Sequence, residues 1–362
     1  MEKRNCFLDC VKFFAAIFIV FHHYQQITGA HFDGIINFWG GNFFWGLMVE
    51  FFFVISGLLT VKYIEKIKDG LKFHTFYLYK ARRLLPLVAL SAVVYEIIVL
   101  LNIKAGGEFS WFSAQSINLW GTFIDSMGVQ AGWVFDNPHV NNPTWYCSVL
   151  LLCYAVFYIL TSISEKSKIS PIYFYVCAIL LGIAVKTYGW DLPFLNDYSA
   201  RGYYSFFIGL IIGIVFRDRE PSKLISIACF LSIMLTTAGV FLFGSFFFND
   251  YWILFFVFSP IAVISRSHFV NSLFSNRIWQ VLSGVSYDIF IWHVVLLGLT
   301  SVLIPAMNID INYKTEVGFM LIFTLLVCAF STLSYYFIEK PLDTLFRRIT
   351  DKLIIEKNKV RT

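Results

Sequence analysis

The chain has 362 residues, of which 58% are hydrophobic and only 14% charged, with a mean hydropathy of +0.69. Soluble globular domains carry about 25% charged residues, so this composition excludes a soluble domain and describes a polytopic membrane protein. The net charge of +5 comes without a long basic patch on a soluble module, which argues against nucleic-acid binding.

Apolar windows long enough to cross a bilayer predict ten spans, at about 7–28, 43–62, 84–103, 143–164, 172–188, 202–216, 224–243, 246–265, 284–304 and 317–337. The sixth is short and the gap between the seventh and eighth is minimal, so nine or eleven spans remain alternatives. The expected fold is all-α, a polytopic bundle of transmembrane helices. Twenty-four of the 28 Lys and Arg residues fall on one side of this arrangement, and only Lys104, Lys186, Arg201 and Lys314 on the other. Positive charge collects in cytoplasmic loops, so both termini are expected in the cytosol. The seven cysteines lie in or beside apolar segments with no CxxC pair, which argues against a disulfide framework or a zinc site. The first apolar segment contains Asp9 and Lys12 and lacks a small-residue cleavage site, so it is expected to stay as a span.

That first span carries Asp9, Lys12, His22 and His23. Ionisable groups inside a span are costly and mark functional sites. Lys12 and His23 are eleven helical steps apart, which places them within about 20° of one face and about 16 Å apart, with His22 about 80° from Lys12. A cation at the cytosolic edge with a base above it suits an anionic cytosolic ligand. Interhelical hydrogen bonding by both histidines explains the same residues.

In the second span, GLMVEFFFVISGLLT, Glu50 suits either an interhelical partner or a carboxylate that orients a histidine, and Ser56-Gly57 suits close helix packing. Before the third, Lys80, Arg82 and Arg83 precede Pro86. Positive-inside anchoring and phosphate binding both fit this cluster. The longest polar segment, about 104 to 142, holds Trp111, Trp120, Trp133, Asp125 and Asp136. Aromatics with carboxylates suit sugar rings, and interfacial anchoring is the slightly better account of any single tryptophan.

The fourth span opens on Asn142-Pro143-Thr144, a good helix entry, which places Trp145 at the outer interface. Arg201 opens the sixth at the outer mouth, with Asp197 as its default partner and an acidic glycan group as the alternative. The ninth reads SGVSYDIFIWHVVLL, with Asp288 and a third intramembrane histidine, His293, preceded by Ser286 and Tyr287. Glu339-Lys340-Pro341 closes the last span, as a helix stop with an ion pair.

Taken in order, these residues resemble the acyltransferase-3 family of integral membrane acyltransferases, which modify bacterial surface glycans. The pattern LDxxK, ten residues, then His is filled by Leu8, Asp9, Lys12 and His23. VEFFFVISG at 49–57, RLLP at 83–86, TW at 144–145, SYxIxxWH at 286–293 and YxxIEKP at 335–341 follow in the family's order over nearly the whole chain. One departure is Leu150, where many members carry Glu; WY-x-S-x-L-L around Ser148 resembles another branch. With the tenth span followed by only a short tail, the esterase-like domain fused to some relatives is not expected. Residues 1–345 would form the family's membrane domain and 346–362 a short basic tail.

The resemblance implies a bacterial inner-membrane enzyme that takes an acyl group, usually acetyl, from cytosolic acyl-CoA to a sugar hydroxyl on a surface or lipid-linked glycan. It implies no permanently bound cofactor. His23 is then the expected base or transient acyl carrier, with Asp9, Lys12, Glu50 and His293 assisting. Lys12, Lys80, Arg82 and Arg83 would meet the donor's phosphates. Trp145, Ser148, Arg201, Ser286 and Tyr287 would meet the acceptor. A proton-coupled transporter or glycan flippase is the competing reading, opposed by the lack of repeated halves or paired broken helices. A non-catalytic scaffold leaves Lys12 and His23 unexplained.

Overall fold

The computed structural model describes residues 5–32, 37–104, 116–135, 137, 140–244, 250–307, 312 and 314–359, with side chains described as far as Lys352 and not at Asp250. Trp111 and Asp136 lie outside the described residues. Helix α1 spans Cys6–Thr28, α2 Met48–Thr60, α3 Tyr63–Lys68, α4 Phe73–Lys104 and α5 Leu119–Met127. Helices α6 (Trp145–Ser167), α7 (Pro171–Tyr188), α8 (Asp197–Val215) and α9 (Lys223–Phe243) follow. The chain continues through α10 (Asp250–Ile253), α11 (Ser259–Ile264), α12 (His268–Leu273), α13 (Arg277–Ala306), α14 (Val317–Ser334) and α15 (Lys340–Lys359). One π-helical turn, Leu254–Phe258, joins α10 to α11, and another, Tyr335–Glu339, joins α14 to α15. No strand occurs among the described residues, so the all-α expectation holds.

Eight helices among the described residues are long and apolar enough to cross a membrane, and Trp45–Thr60 and Tyr251–Ile264 are shorter apolar helical stretches. These ten segments coincide with the ten predicted windows. Local sequence sets several ends. The Asn5 side chain accepts from the Leu8 amide at 2.9 Å at the start of α1, and Gly29, in the left-handed region at φ +68°, ends it. Asn196 and Ser199 exchange side-chain to backbone bonds as a capping box on α8.

Helix α1 lies along α13, which α4 and α14 flank, while α8 sits between α2 and α7 and α6 bridges α4 and α8. The α2–α8 contact depends on glycine, since a side chain at Gly57 would collide with the Phe206 carbonyl. Gly209 meets the Val54 carbonyl in the same way. Close approach through small residues is how spans gain packing energy where lipid removes the hydrophobic drive.

The long polar segment is not a simple outer loop. Helix α5 packs on α4, and Gln130, Ala131, Asn141 and Thr144 are completely buried. Asn141 Nδ2 donates to Ser91 Oγ and to the Ile291 carbonyl, both at 3.0 Å, so the segment penetrates between α4 and α13. Trp133 Nε1 donates to the Ser148 carbonyl at 2.9 Å, whereas Trp120 on α5 stays exposed. Trp145 consequently lies inside the bundle, 6% exposed and packed on Phe53 and Tyr198, rather than at the interface expected for it.

Candidate active site

Cys6 begins α1 and Arg277 begins α13 at the same, basic end of the bundle. At a rise of about 1.5 Å per residue, His23 and His293 each lie about 25 Å from that end. They meet there: His23 Nδ1 is 2.8 Å from His293 Nε2, with the rings stacked at 4.9 Å. His293 Nδ1 lies 3.1 Å from the Ile289 carbonyl. A carbonyl only accepts, so His293 carries its proton on Nδ1 and presents the Nε2 lone pair. His23 must then donate from Nδ1, which leaves a lone pair on His23 Nε2. A histidine with its tautomer fixed by a second group is built as a base.

His22 has a different task. Its Nδ1–H donates to the Phe38 carbonyl at 2.9 Å, and it is 2% exposed. Gln25, one turn away, accepts from the Trp39 amide at 3.1 Å and from the Phe38 amide, and donates to Asn37 Oδ1 at 2.8 Å. Together they fasten the aromatic segment FWGGNFFW, 38–45, against α1 beside the histidine pair. Trp39 and Phe44 meet the His22 ring edge-on at 5.2 and 5.1 Å.

Arg201 of α8 grips Glu50 of α2 with two hydrogen bonds, Nε to Oε1 at 2.5 Å and Nη2 to Oε2 at 2.9 Å. The Glu50 side chain is 1% exposed and that of Arg201 14%. A bidentate guanidinium–carboxylate pair is the strong form of such a contact. Arg201 also covers the Trp145 ring at 4.7 Å and donates to the Gly46 carbonyl at 3.4 Å. Its partner is therefore Glu50 and not Asp197, which takes Lys186 instead. The Glu50 carboxylate, expected to orient a histidine or relay a proton, is held by this arginine.

At the basic end, Asp9 accepts from Ser283 Oγ at 2.8 Å and lies 3.9 Å from Lys12. Both line a cavity of about 1160 Å³ together with Arg217, Arg219, Arg266 and His268. The interval between Lys12 and His23 is occupied by Ala16 and Ile19, each 0% exposed. The ladder suggested by helix phase is thus packed shut along that face.

Lys80, Arg82 and Arg83 gather elsewhere, around Tyr63. The Lys80 ammonium sits between the rings of Tyr63 and Tyr154, at 4.3 and 4.2 Å. Lys66 and Lys62 approach the same Tyr63 ring at 5.4 and 5.9 Å. Arg82 covers Tyr79 at 5.2 Å, and its buried Nε and Nη1 have no hydrogen-bond partner among the described residues. Arg83 is exposed, within electrostatic reach of Tyr63 and Glu339. Five cations converge, two of Arg82's donors buried without an acceptor, which is an arrangement fit for phosphates.

The remaining expected residues serve the bundle itself. Ser148 Oγ donates to the Ala131 carbonyl at 3.0 Å, Ser286 Oγ to Leu282 at 3.1 Å and Tyr287 Oη to Leu84 at 2.8 Å. Lys340 does not form the expected ion pair with Glu339; its ammonium lies over the Tyr335 and Tyr336 rings at 4.5 and 4.2 Å. Asp288 accepts from Ser334 Oγ, and the buried Asp288 Oδ2 and Glu339 Oε2 have no hydrogen-bond partner among the described residues. The 38–45 segment escaped the sequence reading, although its Phe, Trp and Gly content was visible, because its apolar end merged into the second predicted span.

A multi-pass helical membrane protein with a histidine pair inside the bundle and a cationic cluster at one end is the class this geometry defines. The chain belongs to the acyltransferase-3 family, whose model, described as an acyltransferase domain, matches residues 5–338. It is similar to the Bacillus subtilis (strain 168) protein named "Putative peptidoglycan O-acetyltransferase YrhL", with 24% identity over 97% of this chain and 57% of that protein. It is also similar to the Staphylococcus aureus (strain COL) protein named "Putative O-acetyltransferase SACOL0978", with 24% identity over 92% of this chain and 56% of that protein. The chain spans a little over half the length of these curated relatives. No solved structure matches it.

Proposed function

We propose that the protein moves an acyl group, acetyl in the first instance, from cytosolic acyl-CoA to a hydroxyl of a cell-surface polysaccharide or lipid-linked glycan at the bacterial inner membrane. The observation that carries this reading is the His23–His293 pair, with its tautomers fixed and the lone pair of His23 Nε2 available. In the reaction, His23 Nε2 takes the proton of the acceptor hydroxyl as its oxygen attacks the thioester carbonyl. The tetrahedral adduct collapses, the carbon–sulfur bond breaks, and the departing thiolate recovers the proton from His23. Products are the sugar ester and free coenzyme A. His293 Nε2, accepting from His23 Nδ1–H, holds the ring in position and steadies the imidazolium that forms.

The donor's phosphates are assigned to Lys80, Arg82 and Arg83, with Lys62 and Lys66 beside them. This follows from the convergence of cations on Tyr63 and the buried donors of Arg82. The strong bias of cations to this end supports a cytosolic position for it, where acyl-CoA is found. Lys12 belongs to the neighbouring cavity.

The test uses the full chain purified in detergent, radiolabelled acetyl-CoA and base-treated cell-envelope polysaccharide as acceptor. Wild type is expected to release coenzyme A only when acceptor is present and to label the polysaccharide. His23→Ala is expected to do neither while remaining monodisperse. Wild-type labelling by His23→Ala would overturn the assignment, and coenzyme A release indifferent to the acceptor would overturn the transfer reading.

A further inference from the structure

We infer that the segment 38–45 is the acceptor's sugar platform, on which Trp39 stacks against the C–H face of a hexopyranose ring. The inference rests on the transfer reading above and names where its acceptor sits. It relocates sugar recognition from the polar 104–142 stretch, where the sequence alone had suggested it. Trp133 of that stretch is engaged with the Ser148 carbonyl, and Trp120 on α5 packs against Phe123 and Phe135.

Trp39 combines two properties that are rarely found together. The residue is 40% exposed, yet its backbone is tied down by hydrogen bonds. Its amide donates to Gln25, and the carbonyl just before it accepts from His22. An exposed aromatic that is already ordered loses little entropy when a ligand stacks on it. The turn that presents it requires glycine. Gly40 is left-handed at φ +72°, and a side chain at Gly41 would run into the Asn37 carbonyl. No other residue pair would project Trp39 in this direction without moving Asn37.

Its location joins the ring to the chemistry. Trp39 meets His22 edge-on at 5.2 Å, and His22 meets His23 at 5.2 Å. A sugar on Trp39 is therefore two side chains from the proposed base. Polar groups suited to hydroxyls lie on the same segment and at its end. The exposed Asn42 is anchored by Nδ2 to the Phe241 carbonyl at 3.1 Å. Trp45 Nε1 is buried with no acceptor among the described residues, and the Arg201 guanidinium reaches the adjoining Gly46 carbonyl. The negative face of an indole attracts the weakly positive C–H face of a pyranose, while neighbouring polar groups fix its orientation. Bilayer anchoring, the ordinary task of an exposed tryptophan near a span end, requires no such link to His22.

The experiment compares wild type with Trp39→Phe and Trp39→Ala, each as full chain in detergent, using base-treated envelope polysaccharide from the host as probe. Equilibrium binding of the fluorescently labelled polysaccharide is measured without donor, and transfer kinetics with radiolabelled acetyl-CoA are measured separately. Trp39→Ala is expected to weaken polysaccharide binding and raise its KM by about tenfold. Its KM for acetyl-CoA and its melting temperature are expected to stay at wild-type values. Trp39→Phe, which keeps a stacking face, is expected to retain most of the affinity. Binding by Trp39→Ala within twofold of wild type, or a wild type that binds no polysaccharide, would overturn the platform. Because binding is read without turnover, failure of the histidine chemistry leaves this measurement intact, so the two proposals fail separately.

Discussion

His23 and His293, 270 positions apart in sequence, approach to 2.8 Å with only one proton between the facing nitrogens. If His293 orients His23 and steadies its charge, His293→Ala is expected to lower kcat by about 10²- to 10⁴-fold, the range for a positioned acid–base group. KM for acetyl-CoA is expected to stay unchanged. A glutamine at 293 offers an amide oxygen to His23 Nδ1–H and is expected to recover part of the rate. Steady-state kinetics on the three proteins decides, and equal rates for the alanine and glutamine variants would remove the orienting role.

The Arg201–Glu50 pair gives a stability outcome. Removing one partner of a buried ion pair leaves the other charge uncompensated and costs about 3–5 kcal/mol. Glu50→Ala and Arg201→Ala are each expected to lower the melting temperature in detergent substantially. The double variant Glu50→Leu, Arg201→Met is expected to melt closer to wild type than either. A double variant as unstable as the sum of the singles would show that the two side chains act separately.

Donor binding supplies a salt-sensitive outcome. Arg82→Ala and Arg83→Ala are expected to raise KM for acetyl-CoA, each weakening a charge-assisted contact worth about 1.5–3 kcal/mol. KM for the polysaccharide is expected to stay constant. The difference from wild type should shrink as ionic strength rises, because exposed charges are screened beyond about 10 Å at 0.1 M salt. Unchanged donor KM in both variants would move the phosphates away from the Tyr63 cluster, with the cavity at Lys12 as the next place to search.

His22 and His23 separate by readout. His22→Ala frees the Phe38 carbonyl that it holds, so its effect is expected on acceptor affinity, with kcat largely kept. His23→Ala is expected to remove turnover. A His22→Ala protein that loses kcat and keeps its acceptor KM would contradict the division of labour between them.

Much of the architecture was written in local pattern. Ten apolar windows fell where ten helical segments form, since length and hydropathy are properties of a single segment. His23 and His293 were visible for the same reason, as polar groups in apolar runs. Pairing was not visible. Arg201 had Asp197 four residues away as its obvious partner, but Glu50, 151 positions distant, is reached only once Gly57 and Gly209 let α2 and α8 close. Trp145 was misplaced because interfacial and interior tryptophans look identical in sequence; Asn141, reaching Ser91 and Ile291, decides its depth. Helix phase set Lys12 under His23, yet it could not show that Ala16 and Ile19 fill the space between.

The burial of Gln130, Asn141 and Thr144 has a practical consequence for anyone mapping which parts of the chain face water. By hydropathy, this stretch invites epitope tags, reporter fusions and cysteine labels. A tag inserted beside Asn141 would pry α4 from α13 near His293, and a thiol reagent would leave a cysteine at 130 or 141 unlabelled. Topology maps drawn that way would record inactivation and silence as evidence of extra spans.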